Sequence, residues 1–181
     1  MVPRLQKKYQ EQATAYMKEK CGIDNLMAIP RLEKVVINMG VGRATGDPKI
    51  LETAANDLTM ITGQKPVITK SKKAISNFKL KENQAIGCKV TLRRKKMYEF
   101  IDRLVNASLP RIRDFNGVSR KAFDQEGNYT LGISDQSIFP EIDTGRLVNT
   151  QGMDITFVFN KGPKEHTMEI LTFMGMPFSK K

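Results

Sequence analysis

The chain reads as an α+β protein: a mainly antiparallel, open sheet with helices packed on one face. Three observations lead there. Helical stripes bounded by capping residues recur along the 181 residues, alternating apolar and polar stretches lie between them, and no internal repeat imposes another architecture.

Leu5, Tyr9, Ala13, Tyr16 and Met17 recur at helical spacing among charged residues, which predicts an amphipathic helix ending near Cys21-Gly22. After Pro30, RLEKVVINM (31–39) alternates. Val35, Ile37 and Met39 point one way, and Lys34, Val36 and Asn38 the other. Asp47 is a good N-cap with Pro48 at the first helical position. Ile50, Leu51, Ala54, Ala55, Leu58 and Ile61 then form a core stripe that Gly63 ends. PVITK is a short strand, and AIGCKVTLRR (85–94) a longer one with Cys88, Val90 and Leu92 on one face and Lys89, Thr91 and Arg93 on the other. Met97, Phe100, Ile101, Leu104 and Val105 give a second core-facing helix, ended by Pro110. FDQEGNYTLGI reads as a hairpin turning at Glu126-Gly127-Asn128, and MDITFVF (153–159) as a strand. The last helix starts at Gly162-Pro163 with Met168, Leu171 and Met174 inward.

The net charge is +11 and is strongly localised. Between Lys65 and Lys96 eleven bases face a single acid, Glu82, whereas residues 1–64 are close to balanced and residues 97–181 carry one more acid than base. Focused positive potential of this kind suits a polyanion, and nucleic acid is the simplest one. With helices over the Ile37/Val90 face, the opposite face offers Lys34, Asn38, Lys89, Thr91 and Arg93. Arg and Lys suit phosphate, and Asn and Thr suit sugar or base edges. The face lacks stacking aromatics, which points to structured RNA recognised by shape and backbone.

Enzyme chemistry finds little support. Gly40, Gly42 and Gly46 lie between a strand and a helix, but the spacing is GxGxxxG, no Gly-Lys-Ser/Thr follows, and Asp47 would repel a phosphate. Glycines serving a tight turn or a close backbone approach are the alternative reading. His166 is the only histidine, which excludes a multi-histidine metal site and suits a surface or capping role. Nothing fixes a separation among Glu141, Asp143 and Asp154 that would make paired carboxylates. No catalytic residue, cofactor, metal or small-molecule substrate is expected. Cys21 and Cys88 are too few for a disulfide framework; they read as plain buried thiols in a reducing cytoplasm. No apolar run approaches the ~18–20 residues of a membrane span, and MVPRLQKKYQ lacks the apolar stretch of a signal peptide, so no membrane partner or export is expected.

NMGVG (38–42), GQKPVITKSKK (63–73), IGCKVTLR (86–93), LPRIRDFNGVS (109–119) and IFPEID (138–143) together resemble the bacterial large-subunit ribosomal protein of the L-five family, the universal binder of 5S ribosomal RNA. The likeness runs from the first helix to PFSKK at the end. It implies one ribosomal-protein domain over residues 1–181, its sheet concave and RRM-like in character. Residues 1–109 would be the RNA-binding part with a basic loop at 71–84, and residues 110–181 the C-terminal part. It further implies a non-enzymatic, ribosome-bound protein of the central protuberance that holds 5S rRNA, helps dock it on 23S rRNA, and lies beside neighbouring 5S rRNA-binding large-subunit proteins. A basic loop would touch peptidyl-site tRNA, and the less basic C-terminal half would bridge to a small-subunit head protein. Onto this chain the 5S-contacting polar residues carry as Asn38, Gln64 and Thr91.

The loop itself has Lys70, Lys72, Lys73, Lys79 and Lys81 with no apolar period, so it cannot bury enough surface to offset its conformational entropy and is expected to be mobile when free. As an arm of about 14 residues going out and back, it would reach on the order of 20 Å at ~3.3 Å per residue. Phe78 near its tip is either a stacking residue for a second RNA or an anchor folded back on the body.

Overall fold

The structure is a computed structural model that describes residues 2–23, 25–143, 145, 149–160 and 162–179. The final lysines of PFSKK and residues 144 and 146–148 lie outside the described residues. The elements are α1 (Arg4–Cys21), β1 (Leu32–Gly40), α2 (Pro48–Thr62), β2 (Val67–Lys70), β3 (Ala85–Leu92), α3 (Arg94–Arg103), β4 (Tyr129–Ile133), β5 (Met153–Phe159) and α4 (Lys164–Phe173). The strands form one antiparallel sheet in the order β2-β3-β1-β5-β4, with helices on one face, as the alternation predicts. By packing, the chain divides into two compact units: Met1–Val35, Leu92–Leu131 and Thr156–Lys181; and Val36–Thr91 with Gly132–Ile155.

In the first unit α1 packs against α3 and α4. Met17, Ile101, Leu104, Ile170 and Leu171 are fully buried, which is what the helical spacing of these apolar residues demands. Gly22 takes the left-handed conformation (φ 64°) that closes α1, and its N–H donates to the Lys18 carbonyl. Tyr9 donates its hydroxyl to the Pro30 carbonyl at 3.1 Å, and burial pushes its pKa up to about 12. In the 124–128 turn the Asp124 carboxylate accepts from the Glu126 N–H (3.0 Å) and the Asn128 N–H (2.7 Å). The expected hairpin thus turns where the sequence places it, although its first arm is only a single bridge, Phe123 to Tyr129. Along α4 the inward residues are Thr167, Ile170, Leu171 and Met174; Met168 is half-buried, a correction of one position to the expected stripe.

In the second unit Asp47 caps α2 as expected, its carboxylate accepting from the Lys49 N–H at 3.0 Å, and Gly63 ends the helix at φ 64°. Leu51, Ala54, Leu58 and Ile61 are buried, but Ile50 and Ala55 are only half-buried. The charged Asp57 is buried on this helix, and the burial raises its pKa. Gln136 donates from Nε2 to Asp57 Oδ2 at 3.5 Å and to the Asn149 carbonyl at 3.0 Å, while its Oε1 accepts the Gln151 N–H. Ile37, Met39 and Cys88 are fully buried and Val90 nearly so, which fixes which face of this part of the sheet is core. Among the described residues no helix is long and apolar enough to cross a membrane.

Candidate nucleic-acid interface

Strand parity decides what the uncovered face presents. In β1 the residues that alternate with Ile37 and Met39 are Val36, half-buried, and Asn38, exposed; in β3 those that alternate with Cys88 and Val90 are Lys89, exposed, and Thr91, half-buried. Within the second unit Asn38, Lys89 and Thr91 therefore all stand off the apolar face, as read from the sequence. Gln64 joins them from the loop after α2. Its Nε2 donates to the Thr91 carbonyl at 3.3 Å, and its backbone N–H donates to Thr62 Oγ1 at 3.3 Å. The side chain is thereby tethered at the end of β3 with its amide oxygen still able to accept. In the first unit Lys34 is half-buried and Arg93 is exposed in extended conformation directly before α3.

The edge strand β2 pairs antiparallel with β3, placing Val67 opposite Lys89 and Thr69 opposite Gly87. Val67 is thus an apolar, exposed member of the open face. Gly87 is required by crowding: a Cβ there would lie 2.8 Å from the Met39 carbonyl oxygen and 2.9 Å from Thr69 Oγ1.

Between β2 and β3 the basic loop projects as an arm. Its residues from Lys72 to Lys79 are all exposed, in keeping with a segment that has no core of its own. It nevertheless has regular hydrogen bonding. Ile75 and Leu80 exchange both backbone bonds (2.9 and 3.1 Å) across a short 3-10 turn, Ser76–Phe78, and Lys79 takes φ 51°. At the base, buried Ser71 donates its hydroxyl to the Lys81 carbonyl (2.5 Å), accepts the Gln84 N–H (3.2 Å) and exchanges backbone bonds with Asn83 and Gln84. Phe78 is 71% exposed, so it is not an anchor folded back on the body.

The glycine stretch forms a 3-10 turn, Gly42–Thr45, leading into the capped helix. Gly42 opens this tight turn, as one sequence reading has it, but nothing within the chain demands glycine at Gly40 or Gly42: neither has a positive φ, and a Cβ on either meets no heavy atom within 4 Å. Also missed in the sequence were the Ser71 clasp and the exposed Arg43 of this turn, whose guanidinium donates to Asn149 Oδ1 at 3.3 Å. A cavity of about 340 Å³ lies within the second unit beside α2, lined by Asp57, Gln136, Glu141 and Asp143 among others. No cluster able to hold a metal ion occurs among the described residues. Cys88 is a buried thiol, pushed up to about 11 by burial and by the charge of Asp57; Cys21 is half-buried. His166 sits half-buried in the first turn of α4.

These features define a class: an α+β protein whose sheet exposes Asn38 and Lys89 on the side away from its buried residues and carries a basic arm beside them. Residues 25–81 match the family described as ribosomal protein L5, and residues 85–178 match the ribosomal L5P family C-terminus. The large ribosomal subunit protein uL5 of Clostridium kluyveri is 57% identical over 178 residues, covering 98% of each chain. Those of Clostridium tetani and Clostridium botulinum are 54% and 53% identical over 99% of this chain. The chain belongs to the ribosomal protein L5 family. It is a structural, non-enzymatic constituent of the large ribosomal subunit and serves translation.

Proposed function

We propose that this protein binds 5S rRNA on the uncovered face of its sheet and helps dock it on 23S rRNA, using Asn38, Gln64, Lys89 and Thr91, with Lys34 and Arg93 as further cationic and polar contacts. The observation that carries the reading is the exposure of Asn38 and Lys89 on strands whose alternate residues are fully or nearly fully buried. Such residues contribute nothing to the core, and their chemistry is that of phosphate, sugar and base-edge contacts. The arm is a second contact. Lys70, Lys72, Lys73, Lys79 and Lys81 are all exposed on it, and Phe78 stands out from its tip, free to stack on a base. Its partner in this reading is the tRNA in the peptidyl site. The less basic C-terminal half, residues 110–181, bridges to a small-subunit head protein, and neighbouring 5S rRNA-binding proteins complete the setting. The chain acts as one functional domain, with the RNA-binding part within residues 1–109.

The test is a salt titration of 5S rRNA binding. With roughly six phosphates neutralised, log K falls with log salt at a slope of about −4 to −5, taking ~0.7–0.9 per phosphate. An affinity indifferent to salt, or equal affinity for an unrelated structured RNA, would contradict the reading.

A further inference from the structure

A glycine in a loop normally answers an internal demand, either a left-handed backbone or a neighbour too close for a Cβ. Gly87 shows the second kind. Gly40 and Gly42 show neither: their φ values lie outside the left-handed region, both are exposed, and a Cβ built on either meets no heavy atom within 4 Å. Relative to alanine each costs the chain conformational entropy on folding, with no return from within the chain.

The backbone around them is nevertheless firmly held. The Gly40 carbonyl accepts Gln151 Nε2 at 2.8 Å, the Val41 N–H donates to the Ile86 carbonyl at 2.8 Å, and Thr45 Oγ1 donates to the Gly42 carbonyl at 3.0 Å. Thr45 in turn accepts Gln84 Nε2 at 3.3 Å. Glycine here does not serve a flexible loop. Its effect is to leave a pinned stretch of main chain bare toward the outside. Gly40 follows Asn38 by two residues in β1 and so stands on the same uncovered side, and Arg43 adds an exposed cation one residue beyond Gly42.

We infer that Gly40, Gly42 and Arg43 form a close-approach rim for the sugar–phosphate backbone of RNA, continuous with Asn38. The missing side chains let the strand come down onto the main chain, and Arg43 meets a phosphate. This rests on the reading that RNA lies on the uncovered face. A small-nucleotide pocket is the less favoured occupant, because no Lys-Ser/Thr follows the glycines.

The experiment compares Gly40→Ala, Gly42→Ala and Arg43→Ala with Asn38→Ala in the full chain, measuring thermal stability and 5S rRNA affinity across a salt series. The two glycine variants are expected to melt at or above the temperature of the parent while losing at least tenfold in affinity. Arg43→Ala is expected to flatten the salt slope by about 0.7–0.9. If Asn38→Ala weakens binding but the glycine variants bind like the parent, the rim is wrong and the sheet reading stands. If none of the variants weakens binding, both fall. Glycine variants that lose stability along with binding would show a structural need and would also overturn the inference.

Discussion

Asn38, Lys89 and Thr91 on the uncovered sheet face and the basic arm belong to the same compact unit, yet they are held in shape by different means. Asn38, Lys89 and Thr91 stand on strands whose other sides carry Ile37, Met39, Cys88 and Val90, at most 2% exposed. Their positions are set by a packed core. From Lys72 to Lys79 the arm has no buried side chain, and its shape depends on a backbone bridge at the tip and a serine clasp at the base. Hydrophobic packing fixes the first surface cooperatively with the whole fold; hydrogen bonds fix the second locally, where opening costs less. The two surfaces should therefore fail independently.

The largest effect separates core from arm. Ile37→Ala removes a fully buried side chain and should cost about 2–5 kcal/mol of unfolding free energy, taking RNA binding with it. Phe78→Ala should stay within about 0.5 kcal/mol, since that ring is already exposed. Denaturant titration of both variants checks the contrast, and a strongly destabilising Phe78→Ala would break it.

A smaller effect separates contact residues from the core beneath them. Asn38→Ala or Thr91→Ala should lose about 1–3 kcal/mol of 5S rRNA binding with little change in melting temperature. Equal damage to both quantities would mean that the faces are reversed.

Smaller still is the cost of opening the clasp. Ser71→Ala leaves the Lys81 carbonyl without the hydroxyl and takes away one acceptor of the Gln84 N–H, a loss of about 1 kcal/mol confined to the arm base. Amide hydrogen exchange should quicken at Gln84 while Ile75 and Leu80 exchange as before. Global loosening of the sheet would contradict local control.

Much of this was legible in the sequence, for reasons that vary by region. Alternation in 35–40 and 88–92 marks the buried and uncovered faces because a strand's period is short and local. The Asp47-Pro48 start and the Gly63 stop of α2 are equally local signals. Asp57 escaped because Gln136, which donates to its buried carboxylate, lies 79 positions along the chain, and no helical period announces such a partner. The arm's want of a core was visible in its lysines, whereas its clasp was not: Ser71 and Gln84 meet only once the chain has turned back on itself. Gln64 sits in a loop without periodicity, so only resemblance to the family singled it out. The exceptional glycines could not be told from ordinary turn glycines until the space around them was known.

Charge reversal of the arm tests the division between the two surfaces most directly. Lys72, Lys73, Lys79 and Lys81 are all changed to Glu, and two quantities are measured: affinity for 5S rRNA, and retention of peptidyl-site tRNA on ribosomes assembled with the variant. The account predicts 5S rRNA affinity close to that of the parent and clearly weakened tRNA retention. Lost 5S rRNA binding with normal tRNA retention would contradict it.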